Sequence, residues 1–166
     1  MKLVKPSLKY HESYCCYILE LGNEERYPFP LDFAYDDFDA LLGKLENFAL
    51  GKKIPIGYVP STTFWLVEKG EILGVTNLRH KLNKQIMICG GHIGLSIRPS
   101  QRGKNLGNKL MNLSIIKMHH MGVNQIHIHC HKSNLKSAKI ILNNSGVLDS
   151  EININGKIVQ RYIVEN

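Results

Sequence analysis

Residues 98–107, RPSQRGKNLG, hold two glycines, three cations and no carboxylate, between a run that alternates like a strand and a run with helical period. The first turn of a helix presents unpaired N–H groups and the positive end of its dipole, so such a stretch can seat a phosphate. Gly103 and Gly107 would let the main chain come close to that ligand, and Arg98, Arg102 and Lys104 would add positive charge. The loop is neither GxxxxGK[ST] nor GxGxxG, which removes the nucleoside-triphosphate and dinucleotide fingerprints. An ordinary exposed turn into a helix has the same composition, and spacing alone does not separate the two.

A second group of reactive side chains is HIHCH at 127–131. Alternation puts His127, His129 and His131 on one face of a strand, but same-face neighbours are about 7 Å apart, so three would share a metal only if the strand bent. No Asp, Glu or cysteine cluster lies nearby, no metal is expected, and the histidines should line a half-exposed sheet face. Cys15, Cys16, Cys89 and Cys130 lack regular spacing and read as reduced thiols. Phe64 and Trp65 could stack on nucleic-acid bases, although an aromatic pair in an apolar strand more often belongs to a core.

The elements that must position these groups follow from periodicity. YHESYCCYILELG and DDFDALLGKLENFALG read as helices, the second with Phe38, Leu41, Leu42, Leu45 and Phe48 at spacings of three and four and Gly51 as its stop. The acidic, aromatic stretch LDFAYDDFDALLGKLENF could form a lip for a cationic acceptor, but a plain amphipathic helix explains it better. Residues 62–82 read as a hairpin turning at Lys69 and Gly70, followed by the strand GGHIGLSIRP. A helix follows, with Leu106, Leu110, Leu113 and Ile116 on one stripe and Gly122 as stop. Next come the strand NQIHIHCH and a helix capped by Asn134 with Leu135, Ala138, Ile141 and Leu142 inward. The last two strands join at Asn155 and Gly156.

This order predicts an α/β (α+β) fold, a mixed and mostly antiparallel sheet of about six or seven strands flanked by helices, with a parallel strand-helix-strand unit near the end. At 166 residues one domain, 1–166, suffices. No apolar run approaches a signal sequence or membrane span, so a soluble, cytoplasmic protein with no membrane partner is expected. Charge is segregated: residues 72–148 carry eleven Lys or Arg and no Asp or Glu, within a net charge of +7. Such a field suits a polyanion, nucleic acid or a phosphorylated cofactor, or serves solubility alone.

RGKNLG after IGLSIRP, with NLKSAKIILNNSG some thirty residues on, resembles the GNAT superfamily of acyl-CoA-dependent N-acetyltransferases. The family signature Q/R-x-x-G-x-G/A is met by Arg102 and Gly107, with Asn105 where its first glycine usually lies; asparagine is the side chain that best tolerates a left-handed backbone. GYVPSTTFWLVEKGEILGVTNLRH and GGHIGLSIRPSQRGK are similar to a branch of predicted acetyltransferases, which extends the resemblance over nearly the whole chain.

The resemblance implies direct attack of an acceptor amine on the thioester of acetyl-CoA, the amine belonging to a small molecule or peptide, with no metal and no nucleic-acid partner. A homodimer is allowed but not required. It also implies that the pyrophosphate of coenzyme A lies on Arg102, Gly103, Lys104, Asn105, Leu106, Gly107 and Asn108, helped by Arg98, and that Ile97 and its neighbours pair with the pantetheine arm. Asn134, with Ser137 beside it, would contact the same arm. Family members often draw the proton from the amine with a glutamate on the fourth strand. Here His92 stands near that place, with His80 as the alternative and Glu68 as a third candidate. The family's thiolate-protonating tyrosine is replaced by Ile141, so Ser137, Cys130, Tyr162 or water would take its role. Asn105 and Ile141 also admit a second reading, a GNAT-fold module that binds acyl-CoA with little turnover; a basic nucleic-acid binder is third.

Overall fold

The structure is a computed structural model that describes residues 1–165. A short strand β1 (Lys2–Val4) leads to the helices α1 (His11–Leu21) and α2 (Phe38–Leu50). Asp37 caps α2 by accepting from the Ala40 N–H at 2.9 Å, and Gly51 ends it in the left-handed conformation at φ +71°. β2 (Ser61–Glu68) and β3 (Glu71–Arg79) form a hairpin, with Lys69 and Gly70 both at positive φ as a tight hairpin turn requires. Periodicity gave no sign of α3 (Lys84–Ile88), a single short turn whose Asn83 side chain accepts from the Ile86 N–H. β4 (Ile93–Ile97), α4 (Leu106–His120), β5 (Gln125–His131), α5 (Leu135–Asn143), β6 (Val147–Ile154) and β7 (Lys157–Glu165) complete the chain.

The seven strands form two antiparallel sheets, β1-β2-β3-β4 and β5-β7-β6. β5 and β6 both run antiparallel to the β7 strand between them, so they are parallel to each other, as the strand-helix-strand unit implied.

Helices cover both faces. On one side Tyr14 and Tyr17 of α1 and Phe38 and Leu41 of α2 close over Trp65 and Val75. On the other, Met111, Ile115 and Met118 of α4 and Ile141 of α5 meet Phe64, Leu78, Ile93, Ile126 and Ile128. Burial of this much apolar surface is the main stabilising term. It also places Trp65 at 0% and Phe64 at 6% exposure, so neither ring is available to stack on a base.

Two helical stripes differ from their expected composition. In α4 the buried series is Leu106, Leu110, Ser114 and Met118 with Met111 and Ile115, while Ile116 is exposed. The polar Ser114 hid that face in the sequence; its hydroxyl is satisfied internally, donating to Leu110 O and meeting Thr76 Oγ1. In α5 only Ile141 is fully buried, with Ala138 and Ile140 partly so, and Leu135 and Leu142 face solvent. A nine-residue helix laid on a sheet edge and the side of α4 has too narrow a contact to bury a full apolar stripe.

Candidate functional site

The two sheets meet only at one end of β4 and β5. There the His92 N–H donates to His127 O at 2.6 Å, and Gly91 bridges Ile128. Gly91 permits this approach: φ is +65°, and a Cβ would lie 2.5 Å from the His127 carbonyl oxygen. Beyond this point β4 and β5 form no ladder with each other.

Ladder parity decides which groups face the gap. Arg79 N–H donates to His92 O and Arg98 N–H to Leu73 O, so the ladder to β3 takes the main-chain groups of residues 94 and 96, the His92 C=O and the Arg98 N–H, while the His92 N–H crosses to β5. The N–H and C=O of Leu95 and Ile97 therefore point into the split, an open strand edge inside the molecule. A cleft of about 570 Å³ follows it, lined by Tyr27, Leu95, His129, Cys130, Asn134 and Ser137 among others.

The loop from Arg98 leads from this edge onto α4. Asn105 is left-handed at φ +60° and ψ +13°, and its side chain makes no cap on the helix. The first-turn N–H groups of α4 are therefore free of the side-chain acceptor that usually occupies them. Instead the Asn105 carboxamide oxygen accepts from Asn108, whose own oxygen accepts from Asn143 at 3.3 Å, a chain of amides tying the loop to α5. Gly103, at φ +79°, has open space around it. At Gly107 a Cβ would lie 2.6 Å from Ile140 Cδ1, so the bare backbone there also lets α4 and α5 pack closely.

Two of the three loop cations are already paired. Arg98 Nε donates to Glu20 at 2.7 Å, and Arg102 forks onto both carboxylate oxygens of Glu24 at 2.9 and 2.7 Å while its Nε holds Ile97 O. The Arg102 guanidinium and the Ser100 amide hold the carboxyls of Glu24 and Glu20 below the usual glutamate range, in Glu20 against the opposing effect of burial. Tyr17 adds a third tie from α1, donating to Ser96 Oγ at 2.8 Å. Lys104 bonds only to Gln101 Oε1, so it is the loop cation without a carboxylate partner among the described residues. Lys104→Ala is expected to weaken the binding of a phosphate-bearing ligand to this loop by roughly 3- to 10-fold at low ionic strength, with the loss shrinking as salt is added; calorimetric titration at two salt concentrations checks this.

The histidines divide by environment. His92 is buried, and its Nδ1 accepts from the His127 N–H at 2.9 Å; burial, then the neighbouring His127 and Arg79, push its pKa down to about 4. His129 is also lowered to about 4, chiefly by burial and then by His127 and Arg161, and both its ring nitrogens are buried without a partner. His80 lies outside the cleft, its Nε2 within 2.8 Å of Thr62 Oγ1. Glu68 is exposed beside the β2–β3 turn. Among the described residues no group of three His, Cys, Asp or Glu side chains is arranged to hold a metal.

At the position of the missing tyrosine, Ile141 is a core residue, and Tyr162 points its hydroxyl to Gln160 Oε1 from within the same core. Ser137 and Cys130 do line the cleft. Sequence reasoning missed Tyr27, which comes from the α1–α2 connection. A Cβ at Gly94 would lie 2.8 Å from its hydroxyl, so that glycine makes room for it against β4. Burial raises the Tyr27 pKa above that of a free phenol, although Arg79 beside it acts in the opposite direction. Glu20 and Glu24 were missed as well, because their partners lie nearly eighty residues away.

An open strand edge in a sheet split that ends on an uncapped helix N-terminus defines a protein that can hold an extended, phosphate-bearing ligand. Residues 20–141 match the model of the acetyltransferase (GNAT) family, and the chain belongs to that family, whose enzymes use acetyl-CoA. Among solved structures it is similar to the microcin C7 self-immunity acetyltransferase MccE in complex with acetyl-CoA and AMP, at TM-score 0.71 and 18% identity over 99% of this chain and 91% of that one. It is also similar to the ribosomal-protein-S5-alanine acetyltransferase of Vibrio fischeri, at 0.70 and 17% over 99% and 92%. A spermidine N-acetyltransferase variant from Vibrio cholerae aligns at 0.66 and 17% over 99% and 95%. At these identities the likeness is one of fold. No curated protein matches the sequence significantly.

Proposed function

We propose that the protein transfers the acetyl group of acetyl-CoA to an amine of a small molecule or peptide by direct attack, with both substrates held at the β4–β5 split. The observation that carries this reading is the main chain of Leu95 and the Ile97 N–H, left unpaired by β3 on an edge that runs toward the uncapped N-terminus of α4, with Ile97 O held by Arg102 Nε. The pantetheine amides add to that edge as a strand would, and Asn134 and Ser137 flank the arm from α5. The pyrophosphate rests on the N–H groups of residues 103–108 with Lys104 beside it, while Arg98 and Arg102 hold the loop in shape through Glu20 and Glu24. A Leu95 or Ile97 N–H aimed at the thioester oxygen stabilises the charge that grows there during attack.

For the proton of the acceptor ammonium, His129 fits better than His92 or His80. Its two nitrogens are unpartnered and buried in the wall of the cleft, whereas His92 spends Nδ1 on the main chain and His80 lies outside. With His129 lowered to about 4, it is neutral at pH 7 and able to accept a proton, although its weak basicity leaves most of the work to the ionisation of the amine itself. Tyr27, protonated well above neutrality, supplies the proton to the departing thiolate.

Thiol release from acetyl-CoA over a panel of primary amines tests the function. Turnover with at least one amine, together with thermal stabilisation by acetyl-CoA, is expected. Stabilisation by an oligonucleotide and none by acetyl-CoA would sink the proposal, and stabilisation by acetyl-CoA with no thiol release from any amine would favour the binding module. Tyr27→Phe should lower kcat by roughly 100-fold with little change in acetyl-CoA affinity, the usual size of a lost general acid. An unchanged kcat removes Tyr27 from the role.

A further inference from the structure

We infer that the acceptor amine also carries a carboxylate, and that Arg79 receives it. The inference rests on the acetyltransferase reading above and narrows its substrate class. Arg79 ends β3 with only 8% of its surface exposed. Its Nη1 donates to Gly91 O at 2.9 Å and Gly90 O at 3.3 Å. None of the ion pairs among the described residues includes it, and no Asp or Glu occurs between residues 72 and 148.

A buried guanidinium without a carboxylate is costly, because carbonyl dipoles replace only part of the hydration lost. The two glycine carbonyls occupy one of its nitrogens and fix the plane of the fork, and the neutral phenol of Tyr27 lies against the guanidinium without neutralising its charge. The protein thus holds a desolvated, oriented positive charge whose counter-ion is not one of its own side chains.

The position of this charge relative to the split makes it a substrate contact. Arg79 lines a depression of about 330 Å³ together with Phe29, Tyr58, Ile86 and Cys89. Cys89 also lines the cleft at the split, so the two spaces adjoin. The cleft contains His129, whose ring nitrogens are buried and unpartnered and whose pKa is lowered in part by Arg79. An acceptor with its carboxylate on Arg79 therefore has its amine end on the side of His129 and the thioester. Glu25, exposed at the cleft wall, offers the ammonium a place to rest before it loses its proton.

At the Arg79 end of this space the one charged side chain is a cation, which suits a carboxylate rather than a second amine. Arg161, the cross-strand partner of His129, adds a second cation, its Nη1 lying 3.5 Å from Met87 O. One planar fork suits the two oxygens of a carboxylate. The acceptor class is accordingly an amino acid or a peptide-like molecule with both an amine and a carboxylate.

The test compares amino acids with their own carboxamides, with the matching aminophosphonates and with spermidine, by thiol release from acetyl-CoA. Acetyl-CoA affinity is measured separately by calorimetry. Wild-type protein should favour the carboxylate over its carboxamide by about 10- to 100-fold in kcat/KM, as expected for a charge-assisted, bidentate contact. Arg79→Gln should erase that preference through KM on the carboxylate while leaving acetyl-CoA affinity in place.

Equal or better turnover of carboxamides, phosphonates or spermidine overturns the acceptor class and leaves the acetyltransferase reading standing. Absence of both acetyl-CoA binding and thiol release overturns both. The wild-type comparison decides the matter even if Arg79→Gln fails to fold.

Discussion

Gly91→Ala is expected to lower the melting temperature by roughly 5–15 °C and to weaken acetyl-CoA binding with it. The residue sits at φ +65°, and the added Cβ would lie 2.5 Å from the His127 carbonyl oxygen and 3.0 Å from its carbon. Both neighbours are main chain and cannot rotate away. Relief requires moving β4 from β5 at the one place where they touch, which breaks the short bond from His92 N–H to His127 O. Left-handed strain plus the lost contact cost about 2–4 kcal/mol, and a domain of this size loses about 2–4 °C per kcal/mol. The same movement changes the angle of the split in which the pantetheine edge lies. Gly122→Ala is the control: φ is also positive, at +84°, but nothing lies within 4 Å of its Cβ, so only the backbone strain is felt. A Gly91→Ala melting temperature no lower than that of Gly122→Ala contradicts this account of the closed end.

The second large effect is acid lability. His92 and His129 have pKa values of about 4 in the folded protein, against about 6.5 for a free imidazole. Between those values the unfolded chain binds a proton that the folded chain does not, so stability rises with pH through this window and is lost as pH falls from about 6.5 toward 4. Going from pH 7 to pH 5 should cost roughly 2 kcal/mol for each histidine as an upper bound, or about 10 °C in melting temperature for the pair. Burial lowers His80 in the same direction. The carboxyls of Glu20 and Glu24 are lowered too, and their contribution is lost only at more acidic pH. His129→Gln should flatten the slope between pH 7 and 5 by about half, and an unchanged slope in that variant would show that His129 is not held neutral.

Much of the fold was legible because its signals are local. The two hairpin turns, the cap at Asn134 and the stop at Gly51 depend on residues a few positions apart, and each formed as its chemistry demands. The loop at 98–107 was legible for the same reason, including the left-handed backbone at Asn105.

What sequence spacing could not show is what lies across the fold. The segregation of charge between the N-terminal third and residues 72–148 disappears where Glu20 meets Arg98 and Glu24 meets Arg102. Both arginines tie the loop to α1 in this structure, and Lys104 is the loop cation without a carboxylate partner among the described residues. His92 looked like a base by its place along the strand, but its Nδ1 is turned onto the His127 main chain by a strand that pairs only at that point. His129 was visible as one of an alternating set, and only burial distinguishes it from His127 and His131. Tyr27 carried no signal at all, since it enters the cleft from an irregular connection.

Amide-resolved hydrogen exchange with and without acetyl-CoA tests most directly whether the open edge of β4 and the first turn of α4 form the cofactor site. Saturating acetyl-CoA should protect the amides of Leu95 and Ile97 and those of residues 103–108, with little change along β6. Tight binding that leaves those amides exchanging freely would contradict the site assignment.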